Sequence, residues 1–165
     1  MNISHHYNLK YKPIVFLLVL LFPYHIMRGQ NHVVVSKKDL RLYVVTNKLD
    51  TVFYAPISVG RNIGDKRIEG DCKTPEGTFR IQQIQESALW SHDFDDGAGP
   101  RKGAYGPYFF RLETPGFLGI GIHGTCFPKS IGSRSSEGCV RLHNNDILKL
   151  HRLVHEGDLC IILSD

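Results

Sequence analysis

Seven short runs rich in β-branched and aromatic residues, parted by polar turns of which the later ones carry glycine and proline, limit this chain to a mainly β architecture. They are His32 to Val35, Leu40 to Val45, Val52 to Val59, Thr78 to Ile84, Tyr108 to Leu112, Phe117 to His123 and Asp158 to Leu163. Leu40, Leu42 and Val44 fall on one face at a period of two, the mark of a half-buried strand. Helical spacing occurs once, late in the chain. Asn144 or Asn145 is placed to cap a segment whose apolar face is Ile147, Leu150 or His151, and Val154, and Gly157 is placed to end it. Many strands and one short helix in the C-terminal region predict a β-sandwich or barrel-like domain.

With 165 residues the chain has the size of one domain with one sizeable core. Its formal charge of +4 overstates how basic that domain is. Lys10, Lys12 and Arg28 precede position 31, and the rest carries 17 basic against 16 acidic groups. No basic block remains to bind nucleic acid. Residues 1–30 read as an export signal or N-terminal membrane segment, with a positive start at Lys10 and Lys12 and the apolar run Ile14 to Phe22. That run is short of the roughly 20 residues of a spanning helix. The expected organisation is a leader over 1–30, which would serve as a membrane tether if uncleaved, and one domain over 31–165. The expected location is the periplasm or cell envelope.

The chemistry-bearing stretch is Ile120-Gly121-Ile122-His123-Gly124-Thr125, followed by Ser136-Glu137-Gly138-Cys139-Val140-Arg141. On a strand, Ile120 and Ile122 point to the core, while Gly119, Gly121 and His123 share the other face, which predicts an open groove beside an imidazole. Gly138 allows a positive φ at which neighbouring N–H groups converge, so the Gly138 and Cys139 amides are candidate oxyanion donors. Cys139 is the candidate nucleophile and His123 the base that takes its proton and returns it to a leaving amine. Thiol–imidazole acyl transfer calls for no cofactor and no metal ion. Ser136 is placed to support the cysteine loop or contact substrate. Arg141 either binds a substrate carboxylate or pins that loop. Trp90 and Tyr105 either line the groove or anchor the surface insertion of residues 85–106.

These motifs resemble the L,D-transpeptidase catalytic domain family (YkuD-type), whose pattern is His-Gly, a variable loop, then Ser-His-Gly-Cys-(Ile/Val)-Arg. The likeness spans about residues 31 to 163 and includes Lys73-Thr74-Pro75-Glu76-Gly77-Thr78-Phe79 and Asn145-Asp146. Glu137 stands where the family most often has histidine. The resemblance implies an L,D-transpeptidase-like β-sandwich or barrel, and a Gly124 carbonyl that fixes the His123 tautomer. It also implies peptidoglycan stem tetrapeptides as donors. The thioester then passes to an amine, in cross-linking, D-amino acid exchange or protein attachment, or to water in an L,D-carboxypeptidase.

Rival readings use the same residues. His123, Cys126, Cys139 and His143 have spacings seen in zinc sites, but lack paired cysteine hooks. A sortase-like site would need a Thr-Leu-x-Thr-Cys context that is absent here. A wall-binding domain would keep the groove without a reactive thiol. Cys160 lies in an apolar run and reads as a small buried hydrophobe. Cys72 and Cys126 are candidates for a bridge. Glu137 is expected to face solvent and be dispensable.

Overall fold

The computed structural model describes residues 30–165. The export or tether reading of the leader therefore lies outside the described residues. In chain order the elements are β1 (Asn31–Ser36), β2 (Arg41–Thr46), β3 (Thr51–Pro56), β4 (Val59–Gly60), β5 (Gly77–Glu86) and β6 (Ser91–His92). There follow β7 (Arg101–Lys102), β8 (Tyr108–Leu112), β9 (Gly121–His123), a 3-10 turn (Pro128–Ser130) and β10 (Arg134–Ser136). The chain closes with β11 (Val140–Arg141), the helix α1 (Asn144–Leu153) and β12 (Leu159–Leu163).

Eight strands form one sheet in the order β11-β9-β8-β5-β12-β1-β2-β3. The sheet curls until its ends meet, because Ser58, just past β3, bridges to Arg141 of β11. The mainly β, barrel-like expectation therefore holds. The core is what period two predicts: Val33 and Val35, Leu42 and Val44, Ile122, Val140 and Ile162 are all buried. Helix α1 adds Ile147 and Leu150 to it, and His151 stacks on Tyr108 at 3.9 Å. Cys160 is fully buried, as expected, and its thiol is pushed up to about 12 by burial.

Two local expectations fail. His143, not an asparagine, sits at the N-cap of α1, and its side chain makes no capping bond. Asn144 is spent elsewhere: its Oδ1 accepts the Thr125 N–H at 2.8 Å and so ties the helix start to the loop after His123. The strand expected over 117–123 begins only at Gly121, because Gly119 has φ +76° and turns the chain before pairing starts.

Lys37 anchors the loop over 61–76 to the sheet. It is 1 % exposed, and its Nζ meets Glu76 Oε1 at 2.6 Å, Asp165 Oδ2 at 3.1 Å and the Gly64 carbonyl at 3.1 Å. Arg134 of β10 also bonds Asp165. Removing the ammonium leaves the partly buried Glu76 carboxylate without its cation and Asp165 ion-paired with Arg134 alone. Lys37→Met is expected to cost about 3 kcal/mol of stability at neutral pH, measured by chemical denaturation.

Candidate active site

Strands β9 and β11 run parallel, with Val140 opposite Ile122 and Arg141 opposite His123. Val140 and Ile122 go to the core. Alternation then sends Cys139, Arg141 and His123 to the opposite face. A cavity of about 530 Å³ opens there, lined by His123, Cys139 and Arg141 together with Tyr105, His92 and Glu137. The loop over 61–76 supplies another wall through Arg61, Lys66 and Cys72.

The cysteine loop is built by its small residues. Gly138 has φ +141°, and a Cβ there would lie 2.9 Å from the Lys73 carbonyl oxygen, so only glycine fits. Ser136, fully buried, donates its hydroxyl to the Cys139 carbonyl at 2.6 Å and accepts the Gly138 N–H at 3.1 Å. It therefore braces the loop rather than meeting a substrate. The same bond commits the Gly138 amide, leaving Cys139 N–H as the uncommitted member of the expected oxyanion pair. The Cys139 thiol is partly exposed and donates to the Gly119 carbonyl at 3.3 Å.

His123 is 3 % exposed. Its Nδ1–H donates to the Gly124 carbonyl at 2.6 Å, the acceptor expected from the resemblance, which leaves Nε2 as the basic nitrogen. Phe109 stacks on the ring at 5.4 Å and Tyr105 meets it edge-on at 4.9 Å. Burial, aided by the Arg141 charge, lowers the His123 pKa to about 3. Burial also raises the Cys139 thiol, against opposing pulls from the Gly121 N–H and Arg141. Both shifts run toward neutral thiol and neutral imidazole rather than toward a thiolate–imidazolium pair.

Other expected site residues fall differently. Gly121 does not open a groove: a Cβ there would lie 2.5 Å from the Phe109 ring, so its missing side chain makes room for the ring that stacks on His123. Trp90 does not line the cavity. It packs behind Tyr105 at 5.9 Å and Phe109 at 5.8 Å, anchoring the β6–β7 insertion. Tyr105 does line it. Arg141 is 8 % exposed, lies over the Phe94 ring at 5.6 Å, and its buried Nε has no hydrogen-bond partner among the described residues. The side chain therefore does not pin the loop by hydrogen bonding through Nε.

The metal quartet does not assemble, since Cys126 and His143 line a different cavity from His123 and Cys139. No group of three or more His, Cys, Asp or Glu among the described residues is arranged to hold a metal ion. All four cysteines are free, so Cys72 and Cys126 are not bridged. Cys72 instead accepts a bond from Arg61 at 3.1 Å. Glu137 is exposed, as expected, yet it faces the cavity rather than bulk solvent alone: its Oε2 pairs with His92 Nε2 at 3.2 Å. His92, Arg61 and Cys72 were not singled out as site residues from the sequence. Arg61 and Cys72 sit on a loop, which has no periodicity, and His92 on a two-residue strand too short to show one.

A family model described as the L,D-transpeptidase catalytic domain (YkuD) matches residues 30–162. YkuD of Bacillus subtilis, named as an L,D-transpeptidase, is 32% identical over 135 residues, covering 82% of this chain and 63% of its own length. YqjB of the same organism, also so named, is 29% identical over 140 residues, covering 83% of this chain and 73% of its own. Among solved structures, the helical cell shape determining protein Pgp2 of Campylobacter jejuni superimposes with a TM-score of 0.62 at 26% identity. That match covers 83% of this chain and 48% of Pgp2. The chain thus spans about three-fifths of YkuD and about half of Pgp2.

Proposed function

The chain belongs to the L,D-transpeptidase catalytic domain family, and from that premise we propose that it is a cysteine acyltransferase of peptidoglycan stem peptides, working in the cell envelope. The observation that carries the reading is the convergence of Cys139, His123 and Arg141 on one cavity. Cys139 attacks the carbonyl of the third stem residue as His123 Nε2 takes the thiol proton. The Cys139 N–H receives the developing oxyanion. The imidazolium then protonates the departing D-alanine amine. Arg141, with its buried Nε unpaired, is suited to a carboxylate on the donor peptide. The shifts toward neutral thiol and neutral imidazole fit this order, in which the thiol is deprotonated only as its attack begins.

Incubation with a tetrapeptide-stem muropeptide, followed by intact mass, tests the proposal. The expected adduct on Cys139 is the stem less its terminal D-alanine. Adding a different D-amino acid should yield an exchanged tetrapeptide. Tripeptide alone at saturating amine would make the enzyme an L,D-carboxypeptidase. No adduct, with Cys139 inert to electrophiles, would leave a wall-binding domain.

A further inference from the structure

We propose that Glu137 is the recognition group for the amine that attacks the thioester, and that His92 positions it. This rests on the acyl-transfer reading and says which acceptor the cavity selects. Glu137 lies two residues before the nucleophile, and its side chain is 44% exposed on the cavity wall. One carboxylate oxygen is held by His92 Nε2 at 3.2 Å, and His92 Nδ1 is held in turn by the Tyr105 hydroxyl at 3.1 Å. An ionised carboxylate only accepts, so His92 donates from Nε2 and Tyr105 donates to Nδ1. Tyr105 packs on His123. The bonds thus run from the wall of the base to Glu137 and leave Oε1 without an assigned partner.

Among the described residues no cavity cation is hydrogen-bonded to that oxygen: Arg61 is bonded to Cys72, Lys66 to Asp71, and Arg141 lies over Phe94. The Glu137 charge reaches Arg61 and Arg141 through space alone. The negative charge of Glu137 also opposes the Cys139 thiolate, and no other carboxylate of the cavity contributes to that thiol's shift. An ammonium bound at Oε1 offsets that negative charge as it docks, before it is deprotonated for attack. Water brings no charge and receives no such help, so the arrangement favours amines over water. In the step itself the ammonium first gives one proton to solvent. The neutral nitrogen then forms its bond to the acyl carbon as the C–S bond breaks. The second nitrogen proton regenerates the Cys139 thiol through His123.

The test measures exchanged tetrapeptide against tripeptide, normalised to acyl-enzyme, as the amine concentration is raised. Two amines are compared: a free D-amino acid and a simple primary amine without a carboxylate. For Glu137→Gln the exchange-to-hydrolysis ratio should fall about tenfold with both amines, through a higher KM for the amine. His92→Ala should give part of that loss, and His92→Gln, which can still bond both neighbours, should recover it. The pH profile of Cys139 alkylation should move to lower pH in Glu137→Gln, which loss of a purely structural contact would not cause. An unchanged ratio, or a loss confined to the D-amino acid, would overturn the assignment. Absence of any thioester in the wild type would sink both this and the acyl-transfer reading.

Discussion

Cys139→Ala is expected to abolish thioester formation and lower turnover by at least about 10,000-fold, with the fold intact. The thiol is the only group in the cavity proposed to bond the substrate covalently, so no neighbour replaces it. Cys72 is the one other thiol lining the cavity. It sits on the loop over 61–76, bonded to Arg61, and not on the β9–β11 pair that carries His123. The side chain of Cys139 is partly exposed and packs little core, so the melting temperature of the alanine variant should stay within a few degrees of the parent. Intact mass with a muropeptide and a thermal melt check both halves. An adduct that persists in Cys139→Ala would assign the nucleophile elsewhere.

His123→Ala should be nearly as damaging, at about 1,000-fold or more, since it removes both the acceptor of the thiol proton and the donor to the leaving amine. His143→Ala should change turnover little, because His143 faces a different cavity. The lowered His123 pKa also fixes a pH signature. The imidazole stays neutral until the pH approaches about 3, so kcat/KM should show no acid limb near 6.5, where an ordinary histidine titrates. Stability follows the same sign. Above pH 6.5 both the folded and the unfolded chain hold this ring neutral. As pH falls from 6.5 toward 3 the unfolded chain binds a proton that the folded chain refuses, so stability drops across that window. Denaturation curves at stepwise lower pH should show this loss, and it should be reduced in His123→Ala.

Much of this site was legible because it lies on strands. The alternation that buries Ile122 and Val140 also turns His123, Cys139 and Arg141 to one face, and glycine at 138 announced a backbone that only glycine adopts. What stayed hidden depends on which side chain fills a gap. Gly121 read as open space, but the ring of Phe109 from the neighbouring strand β8 occupies it. Gly138 read as an amide donor, but Ser136 takes that donor back. The pairing of Glu137 with His92 spans 45 positions and joins a bend to a two-residue strand, so no local pattern marks it.

The position of β12 in the sheet has a consequence for how the domain forms. It is the last strand in sequence, yet it sits between β5, which it pairs antiparallel, and β1, which it pairs parallel. Hairpins such as β1–β2 and β8–β9 close locally, but the two half-sheets they belong to are joined strand to strand only by residues 159–163. Long-range pairing of this kind makes folding slow and joins both halves in one late event. The catalytic cavity draws on both: Ser58 and Lys73 brace the cysteine loop from one side, and β9 from the other. A partly folded chain therefore carries Cys139 and His123 on one half-sheet without the Ser58 contact from the other, and the site is completed only as a product of complete folding.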